Sequence, residues 1–200
     1  LVPELDEWLP FAVRSGGHSP AGHSVCEGGI VLDLSGMKKL LIDAERRLAW
    51  AEAGLTTGEY TSAADAYSLA TPFGDTASVG IGGITLSGGV GYLVRKHGLT
   101  IDNLLAAEVA TADGQLLRTD HENHPDLFWA LRGGGGGFGV VTGMEIRLHP
   151  VDRVYAGNLF YPAGMAKEVW RRYREWVARA RDELTSSIVL MNYPPLPQLP

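Results

Sequence analysis

Strand-length apolar runs broken by glycine clusters fill most of this chain, and helical spacing of apolar residues takes over near its C-terminus. Residues 11–13 form a short apolar strand that feeds the turn Ser15-Gly16-Gly17, and Gly28-Gly29 precedes a second strand over 30–34. Residues 48–53 alternate as a third strand. Thr56-Thr57 then caps a helix running to about residue 68, with Tyr60, Ala63, Ala64 and Tyr67 on one face. Residues 71–99 follow, too glycine-rich at their start for regular structure, which marks a ligand cradle or a tight chain crossing.

Residues 104–111 and 115–118 predict a hairpin, because Asp113-Gly114 between them supplies the positive φ that such a turn needs. Its outer strand is apolar and expected to be buried. Pro125 suits the first turn of a short helix over 126–132, the glycines 133–137 end it, and 140–148 resumes as a strand. Beyond Pro150 a short strand leads into an amphipathic helix over about 165–183, with Val169, Tyr173, Trp176, Val177 and Ala180 facing inward. Residues 187–191 begin another strand. There is no internal repeat, and the element order predicts an α+β fold with segregated strands.

Composition narrows the partners. With 45% hydrophobic and 20% charged residues, 200 residues bury a core sufficient for one large domain or two small ones. A net charge of −6 without a dense Lys/Arg stripe argues against nucleic acid, and the one basic cluster, Arg171-Arg172-Tyr173-Arg174, reads as a solvated helix face. Cys26 stands alone, which excludes an internal disulfide framework and a multi-cysteine metal site, and it reads as a small buried residue before a strand. No run approaches the length of a membrane span, so no membrane partner is expected. Both ends read as cut, the first on a helical end that runs straight into a strand, the last among Pro194, Pro195, Pro197 and Pro200. The lack of a leader therefore leaves the compartment open between cytoplasm and secretion for a soluble chain.

Several chemistries can be weighed directly. The loop Arg14-Ser15-Gly16-Gly17-His18-Ser19, with Gly80-Ile81-Gly82-Gly83 and Gly88-Gly89-Val90-Gly91-Tyr92-Leu93, has the glycine density needed to bring several N–H groups to one pyrophosphate. Ser15 and Ser19 add hydroxyl donors, and His18 puts a nucleophilic imidazole within reach of whatever carries the phosphate. Gly134-x-Gly136-x-x-Gly139 has the spacing of a dinucleotide fingerprint, but a helix precedes it and a strand follows, the reverse of the Rossmann order. A nicotinamide-binding Rossmann domain is thus disfavoured, and no triphosphate-binding Gly-Lys-Ser/Thr loop occurs. The pairs His18/His23 and His121/His124 lack a third ligand nearby, so no metal is expected. No Gly-x-Ser-x-Gly elbow is present for a serine hydrolase.

Five motifs in one order carry a family resemblance. They are the 14–19 loop followed by Val25 to Ser35, Thr71-Pro72 through Gly80 to Leu86, Leu99-Thr100-Ile101-Asp102-Asn103-Leu104, His124 to Gly136, and Phe138-Gly139-Val140-Val141-Thr142. Together they resemble the FAD-linked oxidases of the berberine bridge enzyme type, within the vanillyl-alcohol oxidase superfamily. The resemblance covers residues 11 to about 150 strongly and 182–200 more loosely.

This resemblance implies a FAD-binding domain of the p-cresol methylhydroxylase type over 1–150, without its first strands, and the beginning of a substrate-binding domain over 151–200. It places cofactor contacts at Arg14, Ser15, Gly16, Gly17, His18 and Ser19, at Gly74, Asp75, Thr76, Ser78 and Val79, and at Gly82, Gly83, Gly88, Gly91, Tyr92 and Leu93. Asn103, Leu104, Gly139, Val140 and Val141 complete the set. His18 stands where relatives bond covalently to the flavin, and Thr76 stands where some carry a second linking cysteine, so one bond is expected. Val79 occupies the catalytic position that faces the reactive edge of the ring and controls approach of oxygen. Gly137 replaces a frequent Asn, and Ser87 interrupts a frequent third glycine. The implied reaction is hydride transfer from an alcohol or amine carbon of a small-molecule substrate to FAD, reoxidised by molecular oxygen to give hydrogen peroxide. In the family the catalytic base and much of the pocket lie beyond residue 200, so the alternative is a non-catalytic FAD-binding fragment.

Overall fold

The computed structural model describes residues 9–191, which fall into two units, one ending at Asp152 and one beginning at Arg153. In the first unit β1 (Phe11–Arg14) pairs in parallel with β2 (Ile30–Asp33), Phe11 opposite Ile30. β3 (Leu40–Asp43) and β4 (Leu48–Glu52) form an antiparallel hairpin whose turn has no glycine. Arg47 takes the left-handed conformation there at φ 56°, and Asp43 accepts from the Arg46 N–H at 2.9 Å. The turn signal is therefore hidden in the sequence, and β3 was not expected.

The helix α1 (Thr57–Asp65) starts where its cap predicts. Thr56 accepts the Glu59 N–H at 3.2 Å, and Glu59 accepts the Thr56 N–H at 2.7 Å, a reciprocal capping box. Lys38, 2.6 Å from Glu59, holds that carboxyl below its ordinary range, with the Thr56 bond adding to the effect. Tyr60 and Ala64 are buried as expected, but the helix stops at Asp65 and Ser68 turns left-handed, which leaves Tyr67 exposed. A two-residue strand β5 (Leu69–Ala70) follows.

Within the glycine-rich stretch, residues 71–80 are irregular, after which α2 (Ile81–Leu86) and α3 (Val94–His97) form short helices. β6 (Leu104–Ala110) and β7 (Leu116–Asp120) make the expected hairpin, with Gly114 at φ 81°. The apolar, buried strand is the inner one, β6, while β7 is the sheet edge, a correction to the expected apolar outer strand. Helix α4 (Pro125–Leu131) carries Pro at its first position, and β8 (Val140–Arg147) and β9 (His149–Pro150) end the unit. The main sheet has the order β3-β4-β8-β6-β7, antiparallel throughout, and β9 pairs with β5.

The core lies against this sheet. Ala49, Ala51, Ala107, Met144 and Ile146 from its strands meet Tyr60, Ala64, Phe73, Ile81, Phe128 and Leu131. Each large side chain buried here contributes about 1.5–3 kcal/mol relative to exposure. The Tyr60 hydroxyl lies 2.9 Å from Thr71 Oγ1, which itself donates to the Arg147 carbonyl at 2.8 Å, so Tyr60 is the donor of the pair. Burial pushes that phenol's pKa up.

In the second unit, the helix α5 (Ala166–Val177) is shorter than the expected 165–183. Val169, Tyr173, Val177 and Ala180 form a half-buried stripe, Trp176 is exposed, and the Tyr173 hydroxyl donates to the Ser186 carbonyl at 2.9 Å. The strands expected after Pro150 and over 187–191 do not form, since no partner strand is available among the described residues of this unit to take up their backbone groups. No helix among the described residues is long and apolar enough to cross a membrane.

Candidate functional site

The loop after β1 and the segment before α2 press against each other with no room for a side chain. A Cβ on Gly16 would collide with the Gly80 backbone nitrogen, and a Cβ on Gly80 would collide with Gly16 and with the Ser15 hydroxyl. Glycine is required on both sides of that crossing. Ser15 Oγ donates to the Ala53 carbonyl at 2.6 Å, and Ala53 N–H donates to the Thr142 carbonyl at 2.9 Å, which ties the loop through β4 to β8. A Cβ on Gly82 would lie 3.1 Å from the Ala53 carbonyl and 3.2 Å from Ser15 Oγ. Residues far apart in sequence thus converge on Ala53, which sequence reasoning did not single out. The small residues Ala51, Ala53 and Gly54 were the available signal, because small side chains allow such crossings.

Beyond the crossing the loop turns outward. Gly17 has φ 71°, Gly17 and His18 are exposed, and the loop closes with Gly22 donating to the Ser19 carbonyl at 3.1 Å. Among the described residues, the N–H groups of Gly17, His18 and Ser19 have no protein acceptor. Arg14 flanks them, its guanidinium 3.8 Å from Asp33. Ser15 uses its single hydroxyl proton inside the protein, on the Ala53 carbonyl, and so braces the loop.

The segment 74–79 is fastened to the start of α1. Thr57 N–H donates to Val79, Gly58 N–H to Ala77 and Thr57 Oγ1 to the Thr76 carbonyl, all at 2.8–2.9 Å. Asp75, Thr76 and Ser78 remain exposed and Val79 is half-buried. Gly74 lies against Ile84 of α2, and Gly91 sits so close to the Phe73 carbonyl that a Cβ there would collide with it. Gly88 and Gly89 have φ 115° and 78°, and their carbonyls accept from Ile101 and Thr100 at 2.9 and 3.0 Å. Tyr92 is exposed and Leu93 opens α3. Gly83 is exposed on α2.

The remaining expected contacts divide. Gly139, at φ 137°, packs against the Ala110 carbonyl and opens β8, which carries Val140 and buried Val141 beside β6. Leu104 and Asn103 are each 2% exposed, and the Asn103 amide bonds to the His97 and Leu99 carbonyls and to His149. The Gly133 N–H donates to Leu86 at 3.0 Å, which joins the last glycine run to α2. His121 packs edge-on to Phe128, His124 caps α4 in a left-handed conformation, and no group of three metal-binding side chains occurs among the described residues. Cys26 is half-buried, its Sγ 3.3 Å from the Ile30 carbonyl.

Residues 6–120 match the family described as FAD binding domain. The chain belongs to this family of FAD-binding domains. As a FAD-binding domain it is 40% identical over 185 residues to an uncharacterized FAD-linked oxidoreductase, YgaK, of Bacillus subtilis (strain 168), covering 90% of this chain and 41% of that protein. It is also 40% identical over 151 residues to berberine bridge enzyme-like 4 of Arabidopsis thaliana, covering 73% of this chain and 28% of that one. The crystal structure of 6-hydroxy-D-nicotine oxidase from Arthrobacter nicotinovorans superposes with a TM-score of 0.69 at 42% identity, covering 71% of this chain and 31% of that one. The chain thus spans less than half the length of these relatives. The glycine crossing, with N–H groups at residues 17–19 that have no acceptor among the described residues, fits the pyrophosphate of FAD, and a Cβ at either Gly16 or Gly80 would force the two backbones apart.

Proposed function

We propose that residues 1–150 are the FAD-binding domain of a flavin-dependent oxidoreductase that acts on an alcohol or amine carbon of a small organic substrate, and that 151–200 begin its substrate-binding domain. When bound, FAD supplies the hydride acceptor and, on reoxidation by molecular oxygen, the route to hydrogen peroxide. The observation that carries this reading is the Gly16 to Gly80 crossing, beyond which Gly17, His18 and Ser19 offer three N–H groups without an acceptor among the described residues.

In this reading those N–H groups hold the pyrophosphate, which carries the negative charge that a cluster of backbone donors favours. The exposed His18 imidazole would be the group that holds the flavin covalently, and Thr76, having no thiol, would offer no second attachment point. Val79, anchored by its carbonyl to α1, presents its short β-branched side chain to the reactive edge and leaves oxygen room to approach.

The test is to denature the purified flavin-loaded protein in acid and ask whether yellow colour stays with the polypeptide. Retention that disappears in His18→Ala supports the covalent site; colour lost from the wild-type protein on denaturation removes it. Peroxide release by the full-length protein on a panel of sugars, alcohols and alkaloids then identifies the substrate class.

A further inference from the structure

Behind the glycine turn 88–91 lies a group of polar side chains that cofactor binding leaves unexplained. Asn103 donates from Nδ2 to the carbonyls of His97 at 3.0 Å and Leu99 at 2.8 Å, which fixes its amide orientation. Its Oδ1 therefore faces His149 Nε2, 2.6 Å away, and since that oxygen only accepts, His149 is the donor through Nε2–H. His97 stacks on His149 with ring centroids 4.0 Å apart and planes inclined by 17°. The His97 Nε2 atom is buried and has no partner among the described residues.

The same segment clamps the turn. Thr100 and Ile101 N–H groups donate to the Gly89 and Gly88 carbonyls, Thr100 Oγ1 donates to the Pro72 carbonyl at 2.7 Å, and a Cβ on Gly89 would collide with the Thr100 side chain. Asn103 sets the path of residues 97–103, and that path sets the turn.

We propose that His149 and His97 are positioning residues of the cradle: through Asn103 they hold residues 97–103 and the glycine turn 88–91 in place, and double protonation of the stacked pair releases them. The purpose of the turn rests on the FAD reading above, whereas the latch itself does not. One imidazolium can stack on a neutral ring, but two at this separation repel. The surroundings add to the cost of charging the closed pair, since Lys96 disfavours the charge on His97, and His97, Arg147, Arg47 and Lys96 disfavour it on His149. Asp102, on the same segment, accepts the Leu99 N–H at 2.9 Å and lies 3.8 Å from Arg132.

Burial, with a contribution from Lys96, holds the His97 pKa below its ordinary value, and burial, then His97, then Arg147, Arg47 and Lys96 push His149 down to about 4. A histidine whose folded pKa is depressed stabilises the closed form above the pKa of the released imidazole, about 6.5. That stabilisation is lost as pH falls from there toward the folded value.

Hydrogen exchange on the full chain tests this, with protection corrected for the intrinsic pH dependence of exchange. Between about pH 7.5 and 5, protection at Thr100 and Ile101 is expected to fall about tenfold or more, one pKa unit corresponding to a factor of ten, while β6 and β8 amides hold. His97→Phe keeps a ring in the stack without a second proton site, and His149→Gln keeps a donor to Asn103 that does not titrate. Each is expected to flatten the profile or move it to lower pH, so a variant that folds poorly can be replaced by the other. The wild-type profile persisting in both variants, or simultaneous loss of protection in β6 and β8, overturns the latch. FAD titration at neutral pH separates the two readings: opening at low pH in a chain that takes up no FAD retains the latch and removes the cradle, and FAD uptake with a pH-flat Thr100 and Ile101 removes only the latch.

Discussion

Two glycine clusters of this chain look alike in composition and differ in what glycine does there. At Gly16 and Gly80 two backbones touch, and any side chain would collide with main-chain atoms. At Gly135, Gly136 and Gly137 a Cβ would meet nothing within 4 Å, and of these three only Gly135, at φ 78°, has a conformation that favours glycine. The first cluster is glycine by steric necessity, since its neighbour is backbone that cannot rotate away. The second faces open space, which suits a surface that accommodates something outside these residues. Glycine density therefore marks a loop, while the neighbour across the gap decides whether a substitution is tolerated.

The comparison can be broken most decisively at the crossing. Gly16→Ala or Gly80→Ala is expected to cost at least the ~1–3 kcal/mol of an overpacked core and to abolish FAD uptake, read by denaturant midpoint and flavin titration. Survival of both with wild-type midpoints would show that the crossing can part. Gly89→Ala combines φ 78° with a collision against Thr100, so a destabilisation of about 1–3 kcal/mol and weakened flavin affinity are expected. Ser15→Ala removes only the brace to Ala53; leaving one buried carbonyl without its donor costs about 1–3 kcal/mol at most, and because its hydroxyl proton is not aimed outward, flavin affinity should change less than stability. At the other end of the range, Gly137→Asn has open space and is expected to shift stability by no more than about 0.5 kcal/mol. A large effect there would mean that the run is packed against something in the folded protein.

Much of the first unit was legible. The cap at Thr56, Pro125 at the head of α4, the Asp113-Gly114 turn and the alternation of β4 are local signals, and each produced the element its chemistry predicts. The misses share a cause in tertiary context. β3 ends at Asp43 in a turn where Arg47 is left-handed and no glycine announces it, and α1 stops short of Tyr67 although the helical spacing continues. In the second unit the strand-like segments remain irregular because a strand that finds no partner among the described residues leaves its backbone bonds unmade, and residue pattern cannot supply the partner.

The site divides in the same way. Sequence alone determined which loops are glycine-rich, that His18 sits in the first of them, and that Thr76 offers no thiol, because these are properties of residue identity and order. Only the tertiary structure decided that Gly16 meets Gly80, that Ser15 turns inward to Ala53, and that Asn103 is committed to His97, Leu99 and His149. A hydroxyl or an amide in a sequence is a potential ligand donor until its partners are known, and the Ser15 and His149 partnerships join segments 38 and 46 residues apart. The physical reason is that hydrogen-bonding capacity is fixed by the residue, while its use is fixed by what the fold brings within about 3 Å.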